Sequence, residues 1–326
     1  MGALEAAKTF AGLGAAYFGV ASIHEALELR EGGVKGPVLV LSPFLKEELG
    51  LFFEYGITPT IVDRERARML SVEAVRRGRE AVFHFKLDTG MGRLGLSPEE
   101  ALPELQAILA LDSLKLEGVF SHFPGADELD SFSLEQIQIF KDFIGQLTVR
   151  GIDVPFRHMT NSSGILAFND PDFNLVRPGL ILYGAHPSSL IREKFHSRHV
   201  IEWKSVLLFQ KNMLPGQSIS YGRTFMVPKP MRVGVVGAGY ADGFSTFNSN
   251  KAQVQIAGKL VRVLGRVCMD YFMVDLGGLD VPNGSEVVLS ADINGIRVDD
   301  IALRTGMIPY EILTGINRHT PRTYEG

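Results

Sequence analysis

The chain has 326 residues, 45% hydrophobic and 21% charged, with a net charge of −4. Its length suits two domains rather than one, and its charge balance offers no basic surface for nucleic acid or an anionic membrane. The lone Cys268 excludes an intrachain disulfide and points to a reducing, cytoplasmic setting. No run of 18 apolar residues suggests a membrane span, and Glu5 falls too early for a secretory leader.

The chain opens into a helix-like stretch, residues 4–13. Up to about residue 185, short β-rich runs then alternate with helical stretches. Strands are predicted at residues 17–22, 38–42, 58–63, 81–88, 116–123, 156–161 and 174–179. Ser22, followed by Glu25 and stopped at Gly32-Gly33, predicts a capped helix over residues 22–30. A second helix is predicted over residues 134–150, before Gly151. This alternation implies a parallel sheet with right-handed crossovers, an α/β fold of the (β/α)8 barrel type. Seven strands are predicted where such a barrel closes with eight, and the one expected to be missing is the first. Beyond residue 200 the runs at 233–236, 254–256, 261–264, 272–275 and 286–289 are short, β-rich and separated by turns such as Asn283-Gly284 and Asn294-Gly295. Helices are expected at residues 298–305 and 310–314. The expected organisation is an α/β barrel over residues 1–195, incomplete at its N-terminus, and a mostly β domain over residues 196–326, with the boundary within 187–203.

Functional residues of such barrels cluster at the C-terminal ends of the strands. Here those ends carry Asp88-Thr89-Gly90-Met91-Gly92-Arg93-Leu94-Gly95, Ser121-His122-Phe123, Asn161-Ser162-Ser163 and Arg177-Pro178-Gly179. Singly, each has a plainer reading: a glycine-rich turn, a satisfied core histidine, a salt-bridged surface arginine. Together at one barrel mouth they form a polar ring suited to a small anion, with Ser162 and the backbone amides near Gly179 able to hold a phosphate. The β domain adds Gly239-Tyr240-Ala241-Asp242-Gly243 and Gly265-Arg266-Val267-Cys268-Met269-Asp270. Pattern alone favours a turn-packed Tyr240 and a core-filling Met269. A β domain reaches a partner chain's barrel mouth more easily than its own.

Seven strings, in order, resemble those of alanine racemases: DTGMGRLG at 88–95, Ser121–Phe123 with Ala126-Asp127-Glu128, HMTNS at 158–162, VRPGLILYG at 176–184, SYGRTF at 220–225, GYADG at 239–243 and GRVCMD at 265–270. The resemblance covers essentially the whole chain. It implies a barrel that binds pyridoxal 5'-phosphate (PLP), a C-terminal β domain, and a head-to-tail homodimer with shared sites. It also implies interconversion of L- and D-alanine, supplying D-alanine for peptidoglycan. In those terms Tyr240 is the catalytic acid or base supplied to the partner's site. Arg177 faces the cofactor's pyridine nitrogen, with His122 behind it. Ser162, Gly179 and Leu180 bind the phosphate. Arg93 and the Met269 amide meet the substrate carboxylate, Lys86 matches a lysine often carbamylated, and Asp127 lies on the entryway. No metal is implied.

Racemisation needs two bases on opposite faces of one carbon, and a tyrosine with a pKa near ~10 needs cationic neighbours to act as one. The family's other base is a lysine that also binds PLP covalently, in a string like K-A-x-A-Y-G. No such string occurs here, and Gly2-Ala3-Leu4-Glu5 falls where the family's first barrel helix starts. The chain as given is therefore expected to be inactive, with Lys8, on a helix, unable to substitute. A phosphate-binding tyrosine common near the C-terminus has no counterpart in residues 315–322. The competing readings are a non-catalytic PLP- or partner-binding protein of the same fold and a broad-specificity amino-acid racemase. A basic amino-acid decarboxylase is disfavoured by GYADG and the CMD string.

Overall fold

The computed structural model describes residues 2–168, 170 and 172–325. The chain divides into two compact units, Gly2–Pro178 and Gly179–Gly326.

The first unit alternates helix and strand: α1 (Ala3–Gly12), β1 (Phe18–Val20), α2 (Ile23–Glu31), β2 (Val38–Val40), α3 (Leu49–Glu54), β3 (Thr60–Ile61), α4 (Arg64–Arg77), β4 (Ala81–Lys86), α5 (Pro98–Leu109), β5 (Leu114–Phe120), α6 (Ser131–Val149), β6 (Phe156–His158) and α7 (Ser162–Ala167). The helix starts are written locally. Ser22 accepts from the Glu25 amide, and Ser97 and Glu100 form a capping box with Pro98 in the first turn. β1 and β2 pair in parallel. The Val40 amide donates to Thr58 O at 3.0 Å and the Thr58 amide to Val38 O at 2.8 Å, joining β2 to the segment leading into β3. β3, β4, β5 and β6 continue in parallel. The result is one parallel wall in chain order, as α/β alternation requires. Among the described residues β1 pairs only with β2.

The expected strand at 174–179 does not form. The Asn174 amide reaches Arg157 O and the Arg177 amide reaches Thr160 O, so the segment does run beside β6. However, the Asn174 side chain accepts from the Arg157 amide at 2.8 Å and donates to Pro155 O at 2.6 Å. A side chain thus fills ladder positions a strand's backbone would take, and Pro178 has no amide to extend it.

Alternation sorts the strand residues. Phe83, Phe85, Leu116 and Val119 join the buried cluster that includes Leu105, Phe140 and Phe143 of the helices, each such side chain contributing roughly 1.5–3 kcal/mol of burial. The opposite face carries His84, Lys86, Phe120 and His158, all buried. In β5 the register slips, Phe83 pairing with Leu116 but His84 with Gly118, so Glu117 is an extra, bulged residue.

The second unit contains α8 (Ser189–Lys194), β7 (Trp203–Met213), β8 (Ser218–Ile219), β9 (Phe225–Met226), β10 (Met231–Val236), β11 (Gln253–Ile256), β12 (Lys259–Leu264), β13 (Phe272–Asp275), β14 (Glu286–Ser290), α9 (Val298–Thr305) and α10 (Pro309–Gly315). Six strands close an antiparallel barrel in the order β10-β13-β12-β11-β14-β7. Val236, Val254, Val263, Phe272, Val274 and Val287 fill it. Leu180 and Ala185 pack with α9 and α10 residues in a separate cluster. His186 is tied to α9 through Asp299, its amide at 2.9 Å and Nδ1 at 2.8 Å. No helix among the described residues is long and apolar enough to cross a membrane.

Candidate active site

In the first unit the polar residues converge where β4, β5 and β6 end. After Lys86 the chain folds back, the Asp88 amide donating to Leu96 O at 2.8 Å. The Asp88 carboxylate collects the Gly90, Gly92 and Arg93 amides at 2.9, 3.2 and 3.2 Å. One carboxylate thereby shapes the loop that presents the exposed Arg93. Gly95 is required there: its φ is +103°, and a Cβ would sit 2.7 Å from Lys86 O. Thr89 Oγ1 meets Ser121 Oγ at 2.8 Å and accepts from Gln136 of α6 at 3.2 Å, pinning the loop to the end of β5.

Arg177 is the hub. Its Nη1 faces His158 Nδ1 at 2.7 Å, and its Nη2 donates to Ser121 O at 2.6 Å and Met159 O at 3.0 Å, with His122 Nδ1 at 3.4 Å. The guanidinium also lies over the Phe120 ring, 5.4 Å from its centroid, as does Lys86 Nζ at 4.5 Å. Burial lowers Arg177 to about 10, leaving it charged at neutral pH. Burial, with Arg177 and Arg93 nearby, lowers Lys86 to about 7. Burial and the same cations, with Lys86, hold His122 down at about 3, so it is a neutral imidazole. Ser162 is buried at the start of α7, capped by Asn161, whose Oδ1 accepts from the Gly164 amide at 2.9 Å. Asp127 lies part-exposed in the turn after β5.

In the second unit Gly179 precedes a short 3-10 turn, Leu180–Tyr183, and Leu180 is buried. The GYADG and GRVCMD strings lie against each other. The Tyr240 amide donates to Cys268 O and the Ala241 amide to Met269 O, both at 3.0 Å. Gly239 makes the approach possible, since a Cβ there would lie 2.0 Å from Met269 O. Ser220 of the SYGRTF string donates to Arg266 O at 2.6 Å. Three strings far apart in sequence thus share one end of the β barrel. Tyr240 and Met269 are exposed there, 46% and 53%, rather than turn-packed or core-filling.

The chain matches the family models described as "Alanine racemase, N-terminal domain" over residues 1–187 and "Alanine racemase, C-terminal domain" over residues 200–324. The chain belongs to the alanine racemase family. It is 38% identical to "Alanine racemase 2" of Caldanaerobacter subterraneus subsp. tengcongensis over 99% of this chain and 84% of that protein. The solved alanine racemase of Clostridium difficile 630 is 34% identical with a TM-score of 0.90, covering 97% of this chain and 83% of that one. The alanine racemase of the D-cycloserine producing Streptomyces lavendulae is 32% identical with a TM-score of 0.92, covering 100% and 87%. The fold is therefore an α/β barrel unit followed by a mostly β unit, and the family is a PLP-dependent one of amino-acid isomerases.

The residues present fit that cofactor. Three of Arg177's five N–H groups serve His158 Nδ1, Ser121 O and Met159 O, which leaves donor capacity for a ring nitrogen. Thr160, 3% exposed at the end of β6, has a hydroxyl with no partner among the described residues. A buried orphan hydroxyl beside Ser162 suits a phosphate oxygen.

Sequence reading overlooked His84, Glu117 and His158. His84 and Lys86 stand two apart on β4, and His158 opens the HMTNS string. That period-2 spacing was the signal that they share the inner face.

Proposed function

We propose that the mouth of the first unit holds PLP and that the substrate is alanine, the family's role being to supply D-alanine for peptidoglycan as a cytoplasmic head-to-tail homodimer. The observation that carries this reading is Arg177, fixed by neutral acceptors with donor capacity to spare. Bound PLP supplies the electron sink that makes the alanine α-proton removable. The chain's residues would bind and orient, and would supply one of the two proton-transfer groups. Arg177 offers its donor to the pyridine nitrogen and disfavours protonation there. Ser162 holds the phosphate, a role the resemblance also assigns to the backbone of Gly179 and Leu180. Neutral His122 orients Arg177. Arg93, set by Asp88, binds the carboxylate. Tyr240 moves a proton, and Met269 contributes its backbone amide, in each case at the site of a second copy. Lys86 positions Arg93, and Asp127 lines the way in.

We also propose that the 326-residue chain by itself does not racemise alanine. Lys86 is the lysine whose charge reaches His122 and His158, and it is 5% exposed and packed on Phe120. It is therefore poorly placed to be the second base. Incubating the purified chain with PLP and L-alanine, then separating the enantiomers, checks this: no D-alanine is expected, and measurable interconversion would overturn it. PLP binding, followed by absorbance, should weaken at least tenfold in Arg177→Ala, the loss of a charge-assisted hydrogen bond. Equal affinity would remove the basis of the cofactor reading.

A further inference from the structure

A line of buried groups runs through the inner face of the first unit, away from the mouth. Arg177 Nη1 meets His158 Nδ1 at 2.7 Å. His158 Nε2 meets His84 Nδ1 at 2.8 Å. His84 Nε2 meets Glu117 Oε2 at 3.2 Å. The Tyr17 hydroxyl, just before β1, also donates to Glu117 Oε2. Both imidazoles are 0% exposed.

Only one arrangement of protons satisfies this line. A guanidinium only donates and a carboxylate only accepts. His158 Nδ1 must therefore be bare, its proton on Nε2 and donated to His84 Nδ1. His84 must in turn carry its proton on Nε2 and donate it to Glu117. Both rings are neutral, and all three bonds point the same way. An extra proton on either imidazole turns one of these contacts into a donor–donor clash. The groups facing His158 are Arg177, His84 and Lys86, and together with burial they drive its pKa well below the usual histidine value. Those facing Glu117 are His84, Tyr17 and Lys115, and its carboxyl is held below the usual range, chiefly by the His84 bond.

Two local features exist for this line. The bulge in β5 adds Glu117 as an extra residue on a strand whose Leu116 and Val119 face the helices. Gly118 then leaves room for His84, because a Cβ there would lie 2.6 Å from His84 Nδ1. An unbonded imidazole in such a place would be costly, and apolar side chains would fill the wall more cheaply.

We propose that Glu117 is a positioning residue for Arg177, acting through His84 and His158 to fix His158 as the acceptor that orients the guanidinium at the barrel mouth. The functional meaning rests on the reading of Arg177 given above, but the relay itself is tested without cofactor. In the 15N-histidine-labelled chain, long-range 15N–1H correlation spectra report which ring nitrogen carries the proton. His84 and His158 are expected to be neutral with the proton on Nε2. Glu117→Gln keeps an acceptor and should preserve both patterns. Glu117→Leu removes it and should shift the bare-nitrogen signal of His158 Nδ1, two residues down the line, towards an averaged position. Gly118→Ala removes no relay group but displaces His84, and should cause the same shift. Chain folding is monitored by circular dichroism, and the unsubstituted chain alone remains decisive if a variant fails to fold. A proton on His158 Nδ1 in the unsubstituted chain, or a folded Glu117→Leu with unchanged His158 signals, would overturn the proposal.

Discussion

Lys86→Met removes a buried cation while keeping the length of the side chain, and its effect should depend on pH in a calculable way. Burial, then Arg177 and Arg93, lowers Lys86 from 10.5 to about 7. Between those values the unfolded chain binds a proton that the folded chain does not, so stability rises with pH by about 1.4 kcal/mol per pH unit. Below pH 7 the folded unit carries the whole burden of the buried ammonium, on the order of 4–5 kcal/mol. Above 10.5 the amine is neutral in both states and the burden is gone. The methionine variant has no such slope. Its advantage over the unsubstituted chain should therefore shrink by roughly 2 kcal/mol between pH 7.5 and 9. Urea unfolding in carbon-dioxide-free buffer measures this. Far-UV circular dichroism follows the helix-rich first unit, while Trp203, the sole tryptophan, reports the second. Bicarbonate should flatten the slope if Lys86 is carbamylated as the resemblance implies, because a carbamate replaces the cation with an anion. Parallel stability curves for both chains in carbon-dioxide-free buffer would refute the reasoning.

Gly239→Ala should destabilise the second unit by about 1–3 kcal/mol, because its Cβ meets backbone rather than a side chain that could move; thermal melts followed by Trp203 fluorescence check it. Asp88→Ala should leave the Gly90, Gly92 and Arg93 amides without their acceptor, so their hydrogen exchange should accelerate while β4 stays protected. Ser97→Ala breaks the α5 capping box and should cost about 1 kcal/mol in urea unfolding of the first unit.

The motif strings were legible because each holds residue types that ordinary turns do not need together. Most elements were legible too: residues 298–305 form α9 as expected, and the turns at Gly284 and Gly295 adopt positive φ. β7 was not foreseen. Its burial is irregular, with Leu208 and Phe209 both exposed, so no clean period of two marks it. The segment at 174–179 misled for the opposite reason, having a strand's position and an asparagine that mimics strand bonding. The relay behind Arg177 joins residues 17, 84, 117, 158 and 177, and only pairing register brings them together. The bulge that admits Glu117 has no local sequence mark, since it is defined by the partner strand.

We propose that the mouth of the first unit takes PLP through Arg177 and that none of the lysines of this 326-residue chain binds it covalently. Intact mass of the chain after incubation with PLP and borohydride reduction tests this most directly. The expected result is reversible, Arg177-dependent binding with no pyridoxyl group retained on a lysine of the site. A single added pyridoxyl group, mapped to one lysine such as Lys86, would contradict it and would give the chain the second base denied to it here.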